Sequence, residues 1–184
     1  MIKIYTKKGD CGVTATMRGK MGKGEQLAET LGAIDELNSW LGLISPSLIP
    51  PLKLRGGDGG DTIKSIQKNL MLINSILAGA DKKFNDGETL KLEKLIDKLQ
   101  TELPELKNFI YPVGKLQVVR AVARRCEREV VKYFEISSSG PPLCQRGGKG
   151  RFIIKYLNRL SDALFVMARW VNMKDGVEEE AWTV

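Results

Sequence analysis

Apolar residues recur at intervals of three and four positions in five stretches of the chain. This spacing places them on one face of an α-helix, with polar residues on the opposite face. The five apolar faces are Leu27, Leu31, Ile34, Leu37, Leu41 and Ile44; Ile63, Ile66, Leu70, Ile73 and Leu77; Leu92, Leu95, Leu99 and Leu103; Val119, Val122, Cys126, Val130 and Tyr133; and Tyr156, Leu157, Leu160, Leu164, Met167 and Val171. The pair Asn85-Asp86 predicts the start of the third helix. Together these patterns predict an all-α fold, a bundle of five helices.

The segments between the predicted helices contain many residues that interrupt helices. The first helix is followed by "SPSLIPPLKLRGGDGGD" and the fourth by "SSSGPPLCQRGGKG". Both are typical of loops, and neither is long enough to separate two domains. Ahead of the helices, residues 2–5 are predicted to be extended, and a polar loop with several glycines follows them. We therefore expect a single domain over residues 1–184.

Composition and charge restrict the possible functions. The chain carries 29 basic and 22 acidic residues, a net charge of +7, which favours an anionic partner. It contains no histidine, the most common general base and metal ligand. Its three cysteines lack metal-site spacing and suggest a reducing compartment. The beginning of the chain has no signal-peptide pattern and no apolar run spans a bilayer, so we expect a cytoplasmic protein without membrane contact.

The fourth predicted helix carries an arginine row, defined here as Arg120, Arg124 and Arg128. At about 3.6 residues per turn, these side chains lie opposite the apolar face, with Glu127 beside them and Arg125 at the margin. One glutamate does not neutralise three arginines, so the row attracts an anion. Guanidinium groups form paired hydrogen bonds with phosphate, and a polyphosphate fits the row. The alternative is a solvated basic face that pairs with acidic residues of neighbouring helices.

The N-terminal loop "TKKGDCGVT" supplies a second set of groups suited to an anion. Backbone amides at Gly9 and Gly12 allow close approach. The loop lacks the Walker A spacing, so this signal alone is weak. Asp10 is interpreted either as a magnesium ligand through phosphate or water, or as the cap of a turn. The polar side chains of the loop are Thr6, Lys7, Lys8 and Thr14.

Polar residues also share faces on the first and fifth predicted helices. Asp35 and Asn38 lie three positions apart on the first helix. A single pair of this kind is typical of a hydrogen bond between helices, whereas several near an arginine row indicate a binding site. The polar face of the fifth helix consists of Asn158, Asp162, Phe165 and Arg169.

Five segments of the chain resemble, in order and spacing, the signatures of PduO-type ATP:cob(I)alamin adenosyltransferases. They are "YTKKGDCGVT", "LGAIDELNSWLGL", "FIYPVG", "RAVARRCEREVV" and "YLNRLSDALFVMARWVN". The resemblance implies a five-helix bundle with a short N-terminal nucleotide-binding loop, assembled as a homotrimer with its sites between subunits. The implied reaction transfers the 5′-deoxyadenosyl group of ATP to the reduced cobalt of a corrinoid and releases inorganic triphosphate. ATP, Mg²⁺ and cob(I)alamin are the implied ligands, and a flavoprotein reductase is a possible partner.

The same resemblance implies roles for individual residues. Arg120, Arg124, Asp35 and Phe109 are assigned to catalysis, and Asp162 to the subunit contact. Phe109 matches the aromatic residue that occupies the lower face of the cobalt and keeps a fifth ligand away. No residue is assigned to a metal. The implied ATP site comprises Thr6, Lys7, Lys8, Gly9, Thr14, Ala15, Lys23, Arg124, Arg125, Glu127, Arg128 and Asn158.

Several positions depart from the pattern of the family. Lys8 and Ala15 replace common hydroxyl residues, and Gly24 replaces an acidic residue. Gln117 replaces a frequent histidine, and Val113 replaces the first glycine of a PGG sequence. The first three departures affect the expected phosphate and magnesium contacts, and Val113 affects the floor of the corrinoid site. All three arginines of the row are retained.

Two rival functions remain open at the level of sequence. The first is a basic helical module that binds RNA or DNA phosphates, suggested by the RGG triplets at 55–57 and 146–148. Exposed aromatic residues for base stacking are not evident near the triplets, and we expect no nucleic-acid partner. The second is a nucleotide-binding regulatory bundle without transferase activity.

Overall fold

Five helices and one β-hairpin make up the part of the chain that the structure describes. The structure is a computed structural model that describes residues 5, 7–45, 48–49, 61–137 and 149–183. The strands and helices are β1 Val13–Thr16, β2 Gly19–Gly22, α1 Gln26–Leu41, α2 Thr62–Leu77, α3 Gly87–Gln100, α4 Lys115–Ile136 and α5 Lys149–Lys174. The all-α bundle predicted from the apolar spacing is confirmed.

Helix α4 lies at the centre of the packing. It contacts α1 and α5; α5 also packs against α3, and α1 against α2. The apolar faces predicted for the five helices form the core, where Leu37, Ile73, Cys126 and Leu157 have no exposed surface. Burial of this kind is the main stabilising contribution to the bundle. Because α4 has neighbours on both sides, its apolar face is buried and its arginine face is left for other contacts.

An acidic residue precedes each of two helices, but only one of these residues caps its helix. The Asp61 carboxylate caps α2, accepting hydrogen bonds from the amides of Ile63 (2.9 Å) and Lys64 (3.2 Å). Helix α3 begins after Asp86, as predicted, but the Asp86 side chain makes no cap. It accepts a hydrogen bond from Lys155 of α5 instead, at 2.8 Å. Asp86 therefore ties α3 to α5.

Two predicted apolar positions lie beyond the ends of their helices. Helix α1 ends at Leu41 and α3 at Gln100. Ile44 and Leu103 therefore follow in turns, although Ile44 stays 4% exposed and Leu103 packs against the core. The apolar spacing predicted their burial correctly and overextended the helices by about one turn.

The β-hairpin was not predicted, since the sequence indicated only a polar loop there. Thr14 pairs with Met21 in the antiparallel register, and Arg18 at the turn donates a hydrogen bond to the Tyr133 hydroxyl of α4 at 2.9 Å. The turn also lies against Gly79, which has φ +110°; a Cβ at Gly79 would sit 2.7 Å from Cγ of Arg18. Gly79 is thus required for the hairpin to dock beside the end of α2.

Some predictions concern residues outside the described ranges. These are the extended piece at 2–4, Thr6, Cys144, most of both helix-interrupting loops and the two RGG triplets. Cys11 and Cys126 are both free; Cys11 is exposed, whereas burial raises the pKa of Cys126 to about 12. Within the described ranges, no helix combines the length and apolar character needed to cross a bilayer.

Candidate functional site

The arginine row of α4 follows directly from how the helix packs. Val119, Ala123 and Cys126 are buried against the neighbouring helices, which turns the polar side of α4 outward. Arg124 is exposed, whereas Arg120 is partly buried. No ion pair involving the row occurs among the described residues. The row therefore forms no direct ion pair with an acidic side chain of the described residues.

Arg120 is held in place by two uncharged groups. Its Nε donates a hydrogen bond to Oε1 of Gln117 at 2.7 Å, and its guanidinium carbon lies 5.7 Å from the centre of the Phe165 ring. Gln117 is 5% exposed, so the amide is anchored in the core. Burial, and then the positive charge of Arg124, lower the pKa of Arg120. This role of Gln117 was not predicted from sequence, although its spacing of three from Arg120 on one helix was a usable signal.

Asn158 and Glu127, both predicted for the ATP site, are brought together by the packing of α5 on α4. Nδ2 of Asn158 donates to Oε1 of Glu127 at 3.0 Å. Arg128 Nη1 donates to the backbone oxygen of Arg124 at 3.1 Å. The two contacts place four predicted residues on adjoining surfaces of α4 and α5. This surface is the larger part of the candidate site.

Two other predicted residues have partners elsewhere. Arg125, at the margin of α4, forms an ion pair with Glu36 of α1, and the hydrogen bond to Glu36 raises the pKa of Arg125. Asp162 accepts a hydrogen bond from Arg159 at 2.8 Å, and Arg159 reaches Glu93 of α3 at 3.2 Å. All three ion pairs are exposed enough to be screened by water. The ATP role of Arg125 and the intersubunit role of Asp162 stay predictions.

The N-terminal loop forms a separate part of the candidate site. Lys7 has φ 59°, which bends the chain, and Gly12 accepts a backbone hydrogen bond from Lys23 at 2.8 Å. The Lys23 ammonium donates to the Gly9 oxygen at 3.0 Å. Thr6 lies outside the described residues. A cavity of about 770 Å³ is lined by Lys8, Gly9, Cys11, Val13, Thr14, Ala15, Lys20 and Lys23.

This cavity unites five predicted residues, namely Lys8, Gly9, Thr14, Ala15 and Lys23. It also includes Lys20, which the sequence analysis missed because Lys20 belongs to the unpredicted second strand. Three lysines around loop amides make the cavity attractive to an anion.

The loop cavity and the arginine row do not meet within the described chain. The hairpin turn reaches α4 through the hydrogen bond of Arg18 to Tyr133, and the start of α1 reaches α4 through Gln26, whose Nε2 donates to Glu129 at 2.9 Å. Hydrogen bonds between the loop lysines and the row are absent from the described residues. No residue of the row lines the loop cavity either, so neither hydrogen bonds nor a shared cavity joins the two cationic surfaces within the described residues.

Asp35 and Phe109 lie on two further surfaces. Asp35 is exposed on α1 and lines a cavity of about 310 Å³ with Asn38 and Asn74 of α2, whose buried Oδ1 atoms have no hydrogen-bond partner. Phe109 lies in the segment between α3 and α4, with 82% of its surface exposed. Among the described residues, no hydrogen bond, ion pair or cation–π contact joins Asp35 or Phe109 to the arginine row.

Known proteins resemble this chain over almost its full length. A sequence model of the family described as cobalamin adenosyltransferase matches residues 4–171. The chain belongs to this family. The corrinoid adenosyltransferase of Homo sapiens is 36% identical over 98% of this chain and 73% of its own length. That of Bacillus subtilis is 35% identical over 96% of this chain and 90% of its own.

Solved structures of the adenosyltransferase family share the fold. A variant PduO-type ATP:corrinoid adenosyltransferase from Lactobacillus reuteri, complexed with cobalamin and ATP, superposes with a TM-score of 0.80. It is 29% identical and covers 99% of this chain and 100% of its own. A second variant from the same organism, complexed with ATP, gives 0.79 at 28% identity, over 98% of this chain and 100% of its own. The predicted resemblance to the PduO-type family is confirmed.

Replacement of Arg124 by alanine tests the arginine row. A charge-assisted hydrogen bond contributes about 1.5–3 kcal/mol, so Arg124→Ala is expected to weaken ATP binding about tenfold to a hundredfold, measured by titration calorimetry. Lys132→Ala is the matched control, because Lys132 is an exposed cation of α4 whose partner is Glu129. An effect below twofold for Arg124→Ala, or equal effects for both variants, would exclude a specific role of the row.

Proposed function

We propose that the chain transfers the 5′-deoxyadenosyl group of ATP to the reduced cobalt of cob(I)alamin or a related corrinoid, forming adenosylcobalamin and inorganic triphosphate. Its family membership and the names of its relatives support this reaction. The observation that carries the proposal is the arginine row, which faces outward on α4 and lacks acidic partners among the described residues. A solvated basic face would instead pair with neighbouring carboxylates, as Arg125 does with Glu36.

The proposed chemistry matches a chain without histidine. Cob(I)alamin is itself a strong nucleophile, so its attack on the 5′-carbon of ATP needs no protein base. The protein has to place the two substrates in line and to stabilise the leaving triphosphate. The arginine row and the amides of the N-terminal loop supply positive charge for that leaving group. The cobalt of the corrinoid forms the new bond to the 5′-carbon, and the helical bundle positions the corrinoid.

Mg²⁺ would enter this site with the phosphates of ATP. Within the described ranges, acidic and cysteine side chains form no cluster that could hold a metal ion by themselves. Asp10 is an exposed carboxylate in the loop beside Lys8 and Gly9, and one carboxylate plus phosphate oxygens is a common Mg²⁺ environment. A cytoplasmic location stays a prediction from the sequence composition, and a flavoprotein reductase as electron donor stays a prediction from the resemblance.

We also propose that the chain forms a homotrimer with each ATP site between two subunits. The separation of the loop cavity from the arginine row within one chain supports this arrangement. A neighbouring subunit could bring its loop to the row, which would also cover the exposed charge of Arg124. Closed cyclic assembly makes every such interface equivalent.

The reaction is tested directly by mixing the purified protein with ATP, Mg²⁺ and chemically reduced cobalamin. Adenosylcobalamin and inorganic triphosphate are expected in equal amounts, followed by the visible spectrum of the corrinoid and by anion chromatography. ATP binding without product would favour a regulatory bundle. Tight, salt-sensitive binding of long RNA or DNA in place of ATP would favour a nucleic-acid module.

Subunit mixing tests the location of the site. Lys23→Ala removes a loop cation and Arg124→Ala removes a row cation, so each homotrimer is expected to have low activity. Random mixing should restore about one quarter of the wild-type sites, because a site between subunits can combine an intact loop with an intact row. Activity that stays at the level of the two parents would place the loop and the row in the same subunit.

Phe109→Ala tests the proposed lower face of the corrinoid. Exclusion of a lower axial ligand makes cob(II)alamin easier to reduce, and a tenfold effect corresponds to about 59 mV for one electron. We expect turnover that starts from cob(II)alamin with a reductase to fall about tenfold or more, with ATP affinity nearly unchanged. Pre-reduced cob(I)alamin is the control substrate and should be affected much less. Unchanged turnover from cob(II)alamin would remove this role.

A further inference from the structure

The C-terminal tail, residues 177–183, folds back along the segment that carries Phe109. The amide of Tyr111 donates to the Glu180 oxygen at 3.0 Å, and the amide of Trp182 donates to the Phe109 oxygen at 2.7 Å. Ile110 and Ala181 form an antiparallel bridge between the two hydrogen bonds. Such a short two-stranded pairing is marginal on its own, so another interaction has to hold the tail.

That interaction is an ion pair between Arg169 of α5 and Glu179 of the tail. Nε and Nη2 of Arg169 donate to the two carboxylate oxygens of Glu179 at 2.6 and 2.8 Å, and Nη2 also donates to the Pro104 oxygen at 2.9 Å. Arg169 is 4% exposed, so water screens the pair little. One guanidinium thus joins α5, the tail and the start of the Phe109 segment.

A second side chain of α5 holds the far end of the same segment. Nδ2 of Asn172 donates to the Val113 oxygen at 3.1 Å, and the backbone oxygen of Asn172 accepts from Val177 at 2.8 Å. The Phe109 segment, residues 104–113, is therefore fixed to α5 at both ends and to the tail in the middle. All of these anchors are hydrogen bonds or ion pairs.

Side-chain packing contributes little to the position of Phe109 in the described chain. The tail and the Phe109 segment line a shared cavity of about 600 Å³, and Phe109 itself is not among its lining residues. The Phe109 ring is 82% exposed. Its placement therefore depends on the backbone of its segment, and hence on the groups that anchor that backbone.

A buried ion pair is weak evidence for net stability, because apolar residues of similar volume often do as well. A bidentate pair does fix the orientation of its two partners relative to each other, since both carboxylate oxygens have to lie in line with the guanidinium plane. We propose that Arg169 and Glu179 are positioning residues that set the height of Phe109 beneath the corrinoid. This inference rests on the proposed function and names residues to which the sequence resemblance assigns no such role.

Hydrogen exchange tests the anchoring without any assay of activity. In Glu179→Gln the tail should open more often, so the amides of Tyr111 and Trp182 are expected to exchange about tenfold faster, measured by mass spectrometry or NMR. Amides in the core of α5 should not change. Glu178→Gln is the matched control, because Glu178 is the adjacent exposed glutamate of the tail. Unchanged exchange in Glu179→Gln would overturn the inference.

Cobalt coordination separates positioning from a merely structural role. In Glu179→Gln, and more mildly in Arg169→Lys, a larger share of bound cob(II)alamin should keep its lower nitrogen ligand, which splits the electron paramagnetic resonance lines. Turnover from cob(II)alamin should fall about fivefold or more, with an unchanged KM for ATP. Faster exchange with wild-type coordination and turnover would overturn the inference. A wild-type protein that makes no adenosylcobalamin from cob(I)alamin would instead reject the proposed function.

Discussion

The structure depends on helix α4, which has to bury one apolar side and hold several positive charges on the other. Helix α4 buries Val119, Ala123 and Cys126 between α1 and α5, and it holds Arg120 and Arg124 on its other side. The mutual repulsion of these arginines contributes to the lowered pKa of Arg120. Hydrophobic burial offsets this cost in the free chain, and an anion on the row would remove it. Any anion that binds the row would relieve this repulsion at the same time.

The other surfaces proposed for the reaction are positioned by hydrogen bonds and ion pairs. On this proposal their side chains place the substrates and do not act as nucleophiles or general bases. Gln117 orients Arg120, Lys23 braces the loop at Gly9, and Arg169 holds the tail against the Phe109 segment. This division fits a reaction in which the cobalt supplies the nucleophile. A protein that only positions its substrates needs rigid anchors more than it needs titrating groups.

The five helices could be predicted because burial imposes a period of three and four on apolar residues, and the arginine row because the same period fixes the opposite face. The hairpin could not, since Thr14 to Gly22 lacks an alternating apolar pattern and its pairing depends on docking beside Gly79. Arg169 was predicted on the polar face of α5 with Asn158, but it is buried. This burial could not be predicted, because its partner Glu179 lies in a tail without helical periodicity. Contacts between elements leave no such pattern in sequence.

The departure at Gln117 illustrates how the chain keeps geometry while changing chemistry. Nε of Arg120 donates to Oε1 of Gln117, three residues earlier on α4, at 2.7 Å. A histidine could accept there only while neutral, and a neighbouring guanidinium already favours the neutral form. Glutamine supplies the same lone pair at every pH, buried and uncharged. Compared with the histidine that the family resemblance implies at this position, Gln117 keeps a hydrogen-bond acceptor for Arg120 and adds no titrating group beside the row.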